Sequence, residues 1–244
     1  MAYTYDADLE FLGECTDEQL SNLAEVLIYD KDEEKRIAEL ITVSDEYKKY
    51  GTKYSKYWKL IAGELQEFGG NSFANLFRGN GVKYDEILSD VLDKIKAPYD
   101  KSSNIINKED ALIEKAFSDI LEGMPEEEKI KLVKDMDLKV TSFGSQAIMA
   151  AVQTGLRAGG FLSYKITLIV ANYVAKLLLG RGLTLATNAA LTKGLSVFIG
   201  PIGWALTGIW TAVDIAGPAM RVTLPACVTV ACLRKTIMLE KENN

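Results

Sequence analysis

The sequence predicts an all-α protein, a helical bundle in which amphipathic helices surround an apolar, Gly-rich central hairpin. Three observations predict it. Apolar residues recur at steps of three and four through the first part of the chain, between recognisable caps. Charge is divided about Val140: residues 1–139 carry 19 Lys+Arg and 31 Asp+Glu, a net of −12, whereas 140–244 carry 9 and 3, a net of +6. Finally, 20 uncharged residues run from Gly194 to Val213. The boundaries that follow are an acidic amphipathic region, 1–139, and an apolar, basic region, 140–244, packed together as one bundle.

The elements can be justified in order. Thr16-Asp17-Glu18-Gln19 is a capping box, followed by Leu20, Leu23, Ala24 and Leu27 on one face. Ile37, Leu40 and Ile41 predict a narrower apolar stripe in a segment ending near Gly51. Tyr54, Trp58, Ile61, Leu65 and Phe68 fall on one side of a helix that Gly69-Gly70 is expected to stop. Asn71 or Ser72 can cap a short helix through Phe77, and Gly79-Asn80-Gly81 reads as a turn. Ile87, Leu88, Val91, Leu92 and Ile95 mark a helix ended by Pro98, and 97–106 reads as an exposed loop. Asn107 with Asp110 predicts the start of a helix bearing Leu112, Ala116, Phe117, Ile120 and Leu121. Pro125 and three glutamates suit the first turn of one more.

From Val140 onward the helices read as apolar almost all round. At 1.5 Å per residue, Gly194–Val213 is about 30 Å long, the thickness of a bilayer core. The candidate membrane segment is Phe198, Ile199, Gly200, Pro201, Ile202, Gly203, Trp204, Leu206, Ile209 and Trp210. Residues 166–179 and 182–192 could form the other arm of a hairpin. The same pattern describes the central helix of a soluble bundle, and both readings stand at this point.

Composition narrows the chemistry. The chain has no histidine, which removes Ser-His-Asp and Cys-His nucleophile activation and HExxH zinc sites. There is no P-loop and no GxSxG elbow. Carboxylate pairs such as Glu64 with Glu67, or Asp135 with Asp137, are expected to be solvated helix faces. Cys15, Cys227 and Cys232 lack both disulfide-framework and metal-knuckle spacing and read as buried small hydrophobes. The expectation is therefore a non-enzyme with no catalytic, cofactor-binding or metal residues. The acidic first region argues against nucleic acid. The first residues lack a secretory pattern, which predicts a cytoplasmic location, with inner-membrane association on activation.

Residues 58–81, from Trp58 through the Leu76-Phe77-Arg78-Gly79 corner to Gly81, resemble the YaaW-like family of bacterial proteins, as do Asp8–Leu12 and Arg221–Lys235. The resemblance implies a helical protein grouped with ubiquinol–cytochrome c chaperone-like proteins, and no particular reaction. Leu76-Phe77-Arg78 with Gly81-Val82, Tyr84 and Ile87 also resembles the first homology motif of the Bcl-2 family, with one extra residue before Gly81, Tyr84 in the place of Trp, and Asp85 in the place of Gly. That resemblance implies a groove lined by Trp58, Phe77, Arg78, Gly79, Gly81, Tyr84 and Ile87, over a Bcl-2- or colicin-like hidden hairpin. The alternative is a helix corner with Phe77, Tyr84 and Ile87 in the core.

Two functions follow. One is a switchable, pore-forming protein, soluble when closed, that inserts into the inner membrane on a trigger as a homo-oligomer. Arg157, Lys165, Lys176, Arg181, Lys193, Arg221, Arg234 and Lys235 would then meet anionic membrane lipid, unless they pair with the acidic region. The other is a soluble chaperone or adaptor that binds an apolar partner protein helix in the groove.

Overall fold

The computed structural model describes residues 3–36, 39–72, 82–180, 182–183 and 219–243. Every named element among them is helical. A 3₁₀ turn, Glu10–Glu14, leads to α1 (Asp17–Ile28), whose capping box is formed on both sides between Thr16 and Gln19. Ser44 caps the short α2 (Asp45–Tyr50), its side chain accepting from the Tyr47 amide. The helical stripe expected through Leu40 and Ile41 is instead a turn over 39–44, because Thr42 donates from its amide and its hydroxyl to the Glu39 carboxylate. Such side-chain bonds offer the backbone an alternative to the helical ladder.

A 3₁₀ turn, Tyr54–Tyr57, runs into α3 (Trp58–Ser72). The helix continues through Gly69 and Gly70, against the expected stop, and Asn71 and Ser72 belong to its last turn. Gly69 serves packing: a methyl group there would lie 2.4 Å from Ile87 Cγ1, so its missing side chain admits α4 (Tyr84–Lys94). α5 (Ile105–Glu122) begins earlier than expected, because Asn104 rather than Asn107 is the cap and accepts from the Asn107 amide at 2.9 Å. α6 (Glu126–Met136) follows Pro125 and ends on Asp137 in the left-handed region.

α7 (Ser145–Ala158) and α8 (Gly160–Leu179) meet closely at Gly155, where a methyl group would lie 2.8 Å from Leu162. The remaining helix is α9 (Met220–Glu242), with Pro225 inside it. α8 and α9 form the most extensive helix pair among the described residues and run antiparallel, since Gly160 at the start of α8 faces the Glu242 carboxylate at the end of α9. α9 also packs on α1, α3, α4, α5 and the Glu10–Glu14 turn. One hydrophobic cluster runs from Leu9 to Leu239, so α9 is a central element shared by both parts of the chain.

Among the described residues the apolar pair at the centre is α8 with α9. The expected partner of the 166–179 arm, Gly194–Val213, lies outside the described residues, with Phe198, Ile199, Gly200, Pro201, Ile202, Gly203, Trp204, Leu206, Ile209 and Trp210. Among the described residues α8 and α9 are each long and apolar enough to cross a membrane, and 78% and 89% of their most apolar windows are buried within the protein. Burial to that extent is also the mark of core helices in a soluble bundle.

Candidate functional site

Of the residues expected to line a groove, Trp58, Tyr84 and Ile87 are described, and Phe77, Arg78, Gly79 and Gly81 lie outside the described residues. Tyr84 and Ile87 have no exposed surface, so neither lines an open groove. The Tyr84 amide donates to Asp6 Oδ2 at 2.7 Å, and its hydroxyl lies 3.0 Å from Glu109 Oε1 and 3.3 Å from the Cys227 carbonyl. Burial, with the Glu109 charge beside it, holds the phenol well above its usual pKa. It is a structural hydrogen-bonding group.

Glu109 is the centre of that junction. It is fully buried, and its Oε2 receives Arg234 Nε at 2.8 Å. Arg234 also donates from Nη2 to the Asp8 carbonyl at 2.6 Å and lies over the Phe11 ring at 4.3 Å. The next residue on each helix makes a second pair, Lys235 with Asp110 at 2.9 Å. Lys165 donates to the Asp135 carbonyl at 2.6 Å. Arg234 and Lys235, expected against lipid headgroups, are thus taken up by the acidic part of the chain. The paired buried charges hold α9, α5 and the N-terminal segment in register. Spacing in the sequence gave no sign of this, because Arg234 and Glu109 are 125 positions apart.

Trp58 opens α3 and is half-buried. Its ring meets Tyr3 edge to face, with centroids 5.6 Å apart, and lies against Gly13, where a methyl group would come within 3.0 Å. The Tyr3–Tyr5 segment is laid along α3 by Gln66, whose side-chain amide accepts from the Thr4 amide at 3.0 Å and donates to the Thr4 carbonyl at 2.9 Å. Beside it opens a cleft of about 450 Å³ lined by Tyr3, Tyr5, Glu46, Lys59 and Leu60. Tyr5 is 67% exposed, and the neighbouring 39–44 turn presents Leu40 and Val43, 37% and 58% exposed. This opening, in which Tyr3, Tyr5 and Leu60 stand beside the charged Glu46 and Lys59, is the candidate site. Of the expected groove residues that are described, none lines the cleft itself; Trp58 touches its Tyr3 wall.

One of the two carboxylate pairs parts from expectation. Glu64 is buried rather than solvated; its Oε1 accepts from the Leu40 amide at 2.9 Å, and its Oε2 and that of Glu67 are enclosed without a hydrogen-bond partner. Burial, opposed by the Leu40 bond and reinforced by Glu67 and Glu39, raises the Glu64 pKa to about 7. Asp137 is exposed at the end of α6 and forms no site with Asp135. Among the described residues no cluster of three His, Cys, Asp or Glu side chains is placed to hold a metal. Cys15, Cys227 and Cys232 are free and buried, and burial raises all three thiols, to about 12 for Cys15 and Cys232.

The fold and its polar junction define an all-α bundle built on an antiparallel apolar helix pair. Residues 53–227 match the ubiquinol–cytochrome c chaperone family, and residues 3–37 match a separate domain of unknown function, DUF3944. A UPF0174 protein of Helicobacter pylori strain J99 is 50% identical over 235 residues, 96% of this chain and 93% of its own. A second from that strain is 42% identical over 83% of this chain and 99% of its own. The UPF0174 protein YaaW of Escherichia coli K12 is 33% identical over 96% of both chains. No solved structure matches. The chain belongs to the UPF0174 family and, through residues 53–227, to the ubiquinol–cytochrome c chaperone family. The Bcl-2-like motif gains no support from these relationships, and its described positions Tyr84 and Ile87 are closed core.

Proposed function

We propose that the protein is a cytoplasmic helical chaperone or adaptor, without catalytic activity, that holds an apolar helix of a partner protein at the cleft between Tyr5 and Leu60. The observation that carries this reading is the chaperone-family match over residues 53–227. The exposed Tyr5 in the cleft wall supports it, as do the exposed Leu40 and Val43 of the 39–44 turn, since large apolar side chains left open to solvent are available to a partner. A helix would lay its apolar side on such a surface by the groove mode of recognition.

The test is photo-crosslinking from a benzophenone side chain placed at position 5. A single reproducible partner, lost when Leu60→Asp is added in a variant of unchanged melting temperature, is the expected result. Crosslinks spread over many abundant proteins, unaffected by that change, would refute the site.

The length and apolarity of α8 and α9 favour a second reading, a homo-oligomer inserted into anionic inner-membrane lipid and permeabilising it. It competes with the same helices being core, and their burial of 78% and 89% supports core. Dye release from anionic vesicles separates the two: the chaperone reading expects none.

A further inference from the structure

Residues 39–44 form a short turn held at two points, to α3 at Glu64 and to the core at Ile41. Ile41 is inserted in the core with no exposed surface, and the Leu40 amide donates to Glu64 Oε1 at 2.9 Å. Within the turn Glu39 is satisfied by Thr42, and the Ser44 hydroxyl donates to the Ile41 carbonyl at 2.7 Å. The turn is thus held by one apolar side chain in the core and, on α3, by one buried carboxyl.

That carboxyl is placed unusually. Glu64 is 2% exposed and Glu39 is 6% exposed, and the enclosed Oε2 atoms of Glu64 and Glu67 both lack a hydrogen-bond partner. The charges that face Glu64 are Glu67 from its own helix and Glu39 from the turn, with the chain's amino terminus acting least and in the opposite sense. Three carboxylates cannot all stay ionised in an enclosed space at low cost, since each like charge adds to the desolvation penalty. A proton on Glu64 removes one charge and turns an orphan acceptor into a donor, with the orphan oxygen of Glu67 one helical turn on.

We propose that Glu64 is a proton-operated clasp: protonated, it holds residues 39–44 on α3, and ionised, it releases them and bares the α3 surface beneath. The Glu64 pKa of about 7 in the closed form supports this, because an opened, solvated Glu64 returns to its ordinary value of 4.5. Opening then becomes easier as pH rises between those two values, by about tenfold per pH unit in the middle of the range. The released turn carries Leu40 and Val43, so opening rearranges an apolar surface near neutral pH.

Hydrogen exchange of the full-length protein tests the clasp, with the rates of residues 40–44 corrected for the intrinsic effect of pH. In the wild type the opening constant rises roughly 70-fold from pH 5 to pH 8. In Glu64→Gln, a neutral side chain of the same shape, it stays flat and low across that range. Glu67→Gln retains the rise but diminishes it, because the closed Glu64 then ionises at lower pH. A flat wild-type profile, or the same rise in Glu64→Gln as in the wild type, overturns the proposal.

Discussion

At the scale of single residues, buried charge decides the most. Glu109 has no exposed surface, and Arg234 is its cation. Arg234→Met is expected to cost about 3–5 kcal/mol in urea unfolding, because it strands Glu109 in the core. Adding Glu109→Gln should recover part of that loss, and a double variant no better than the single one would show that Arg234 acts by packing alone. Glu64 makes a separate prediction about pH. Its folded pKa, about 7, lies above its ordinary 4.5, so the folded state keeps a proton that the unfolded chain gives up. Its contribution is complete below about pH 4.5 and is lost as pH rises through 7, so Glu64→Gln should make stability less dependent on pH across that window. The sequence shows Glu64 and Glu67 as a pair but not the enclosure of their Oε2 atoms, nor the Leu40 amide that reaches Glu64 from 24 positions away. The Arg234–Glu109 pair left no trace, because nothing in spacing links positions 125 residues apart.

At the scale of elements, local rules succeeded at several sites where the cause of the structure was local, and missed two others, the Glu39–Thr42 turn and the Asn104 cap. The Thr16 capping box, the stripe through Ile61 and Leu65, and the end of α4 before Pro98 are all readable, since each depends on residues within a turn or two. Gly69-Gly70 was misread for the opposite reason. Its glycines look like a stop in one dimension, but the need for Gly69 comes from Ile87 on another helix. Gly69→Ala should therefore destabilise the protein by about 1–3 kcal/mol despite the better helix propensity of alanine. In an Ile87→Ala background the same change should be neutral or stabilising, as thermal unfolding would reveal. A loss of the same size in both backgrounds would mean that the glycine answers a backbone demand. The candidate site was not legible in the sequence beyond Trp58, which touches its Tyr3 wall. The Tyr5–Leu60 cleft forms because Gln66 clamps Thr4 onto α3, a bond between residues 62 positions apart.

At the scale of the whole molecule, the acidic and basic parts of the chain close on each other through α9. Charge division was visible in composition, and the structure shows its use: Arg234 and Lys235 pair with Glu109 and Asp110, Lys241 reaches Glu14 at 2.7 Å, and Glu240 accepts from Gln19 at 3.0 Å. A chain cut at residue 218 would lack the helix that touches α1, α3, α4, α5 and α8. Such a chain should lose cooperative thermal unfolding and bind a hydrophobic dye, whereas a sharp transition would show that the first eight helices carry a core of their own. The position of α9 also sets a timetable. It follows in the chain every helix that it joins, and about 190 residues separate it from α1. At 5–20 residues per second, α1 waits on the ribosome for roughly 10–40 s before its central neighbour is made. The nascent protein must spend that interval with its interior unfilled, dependent on whatever in the cell shields half-made surfaces.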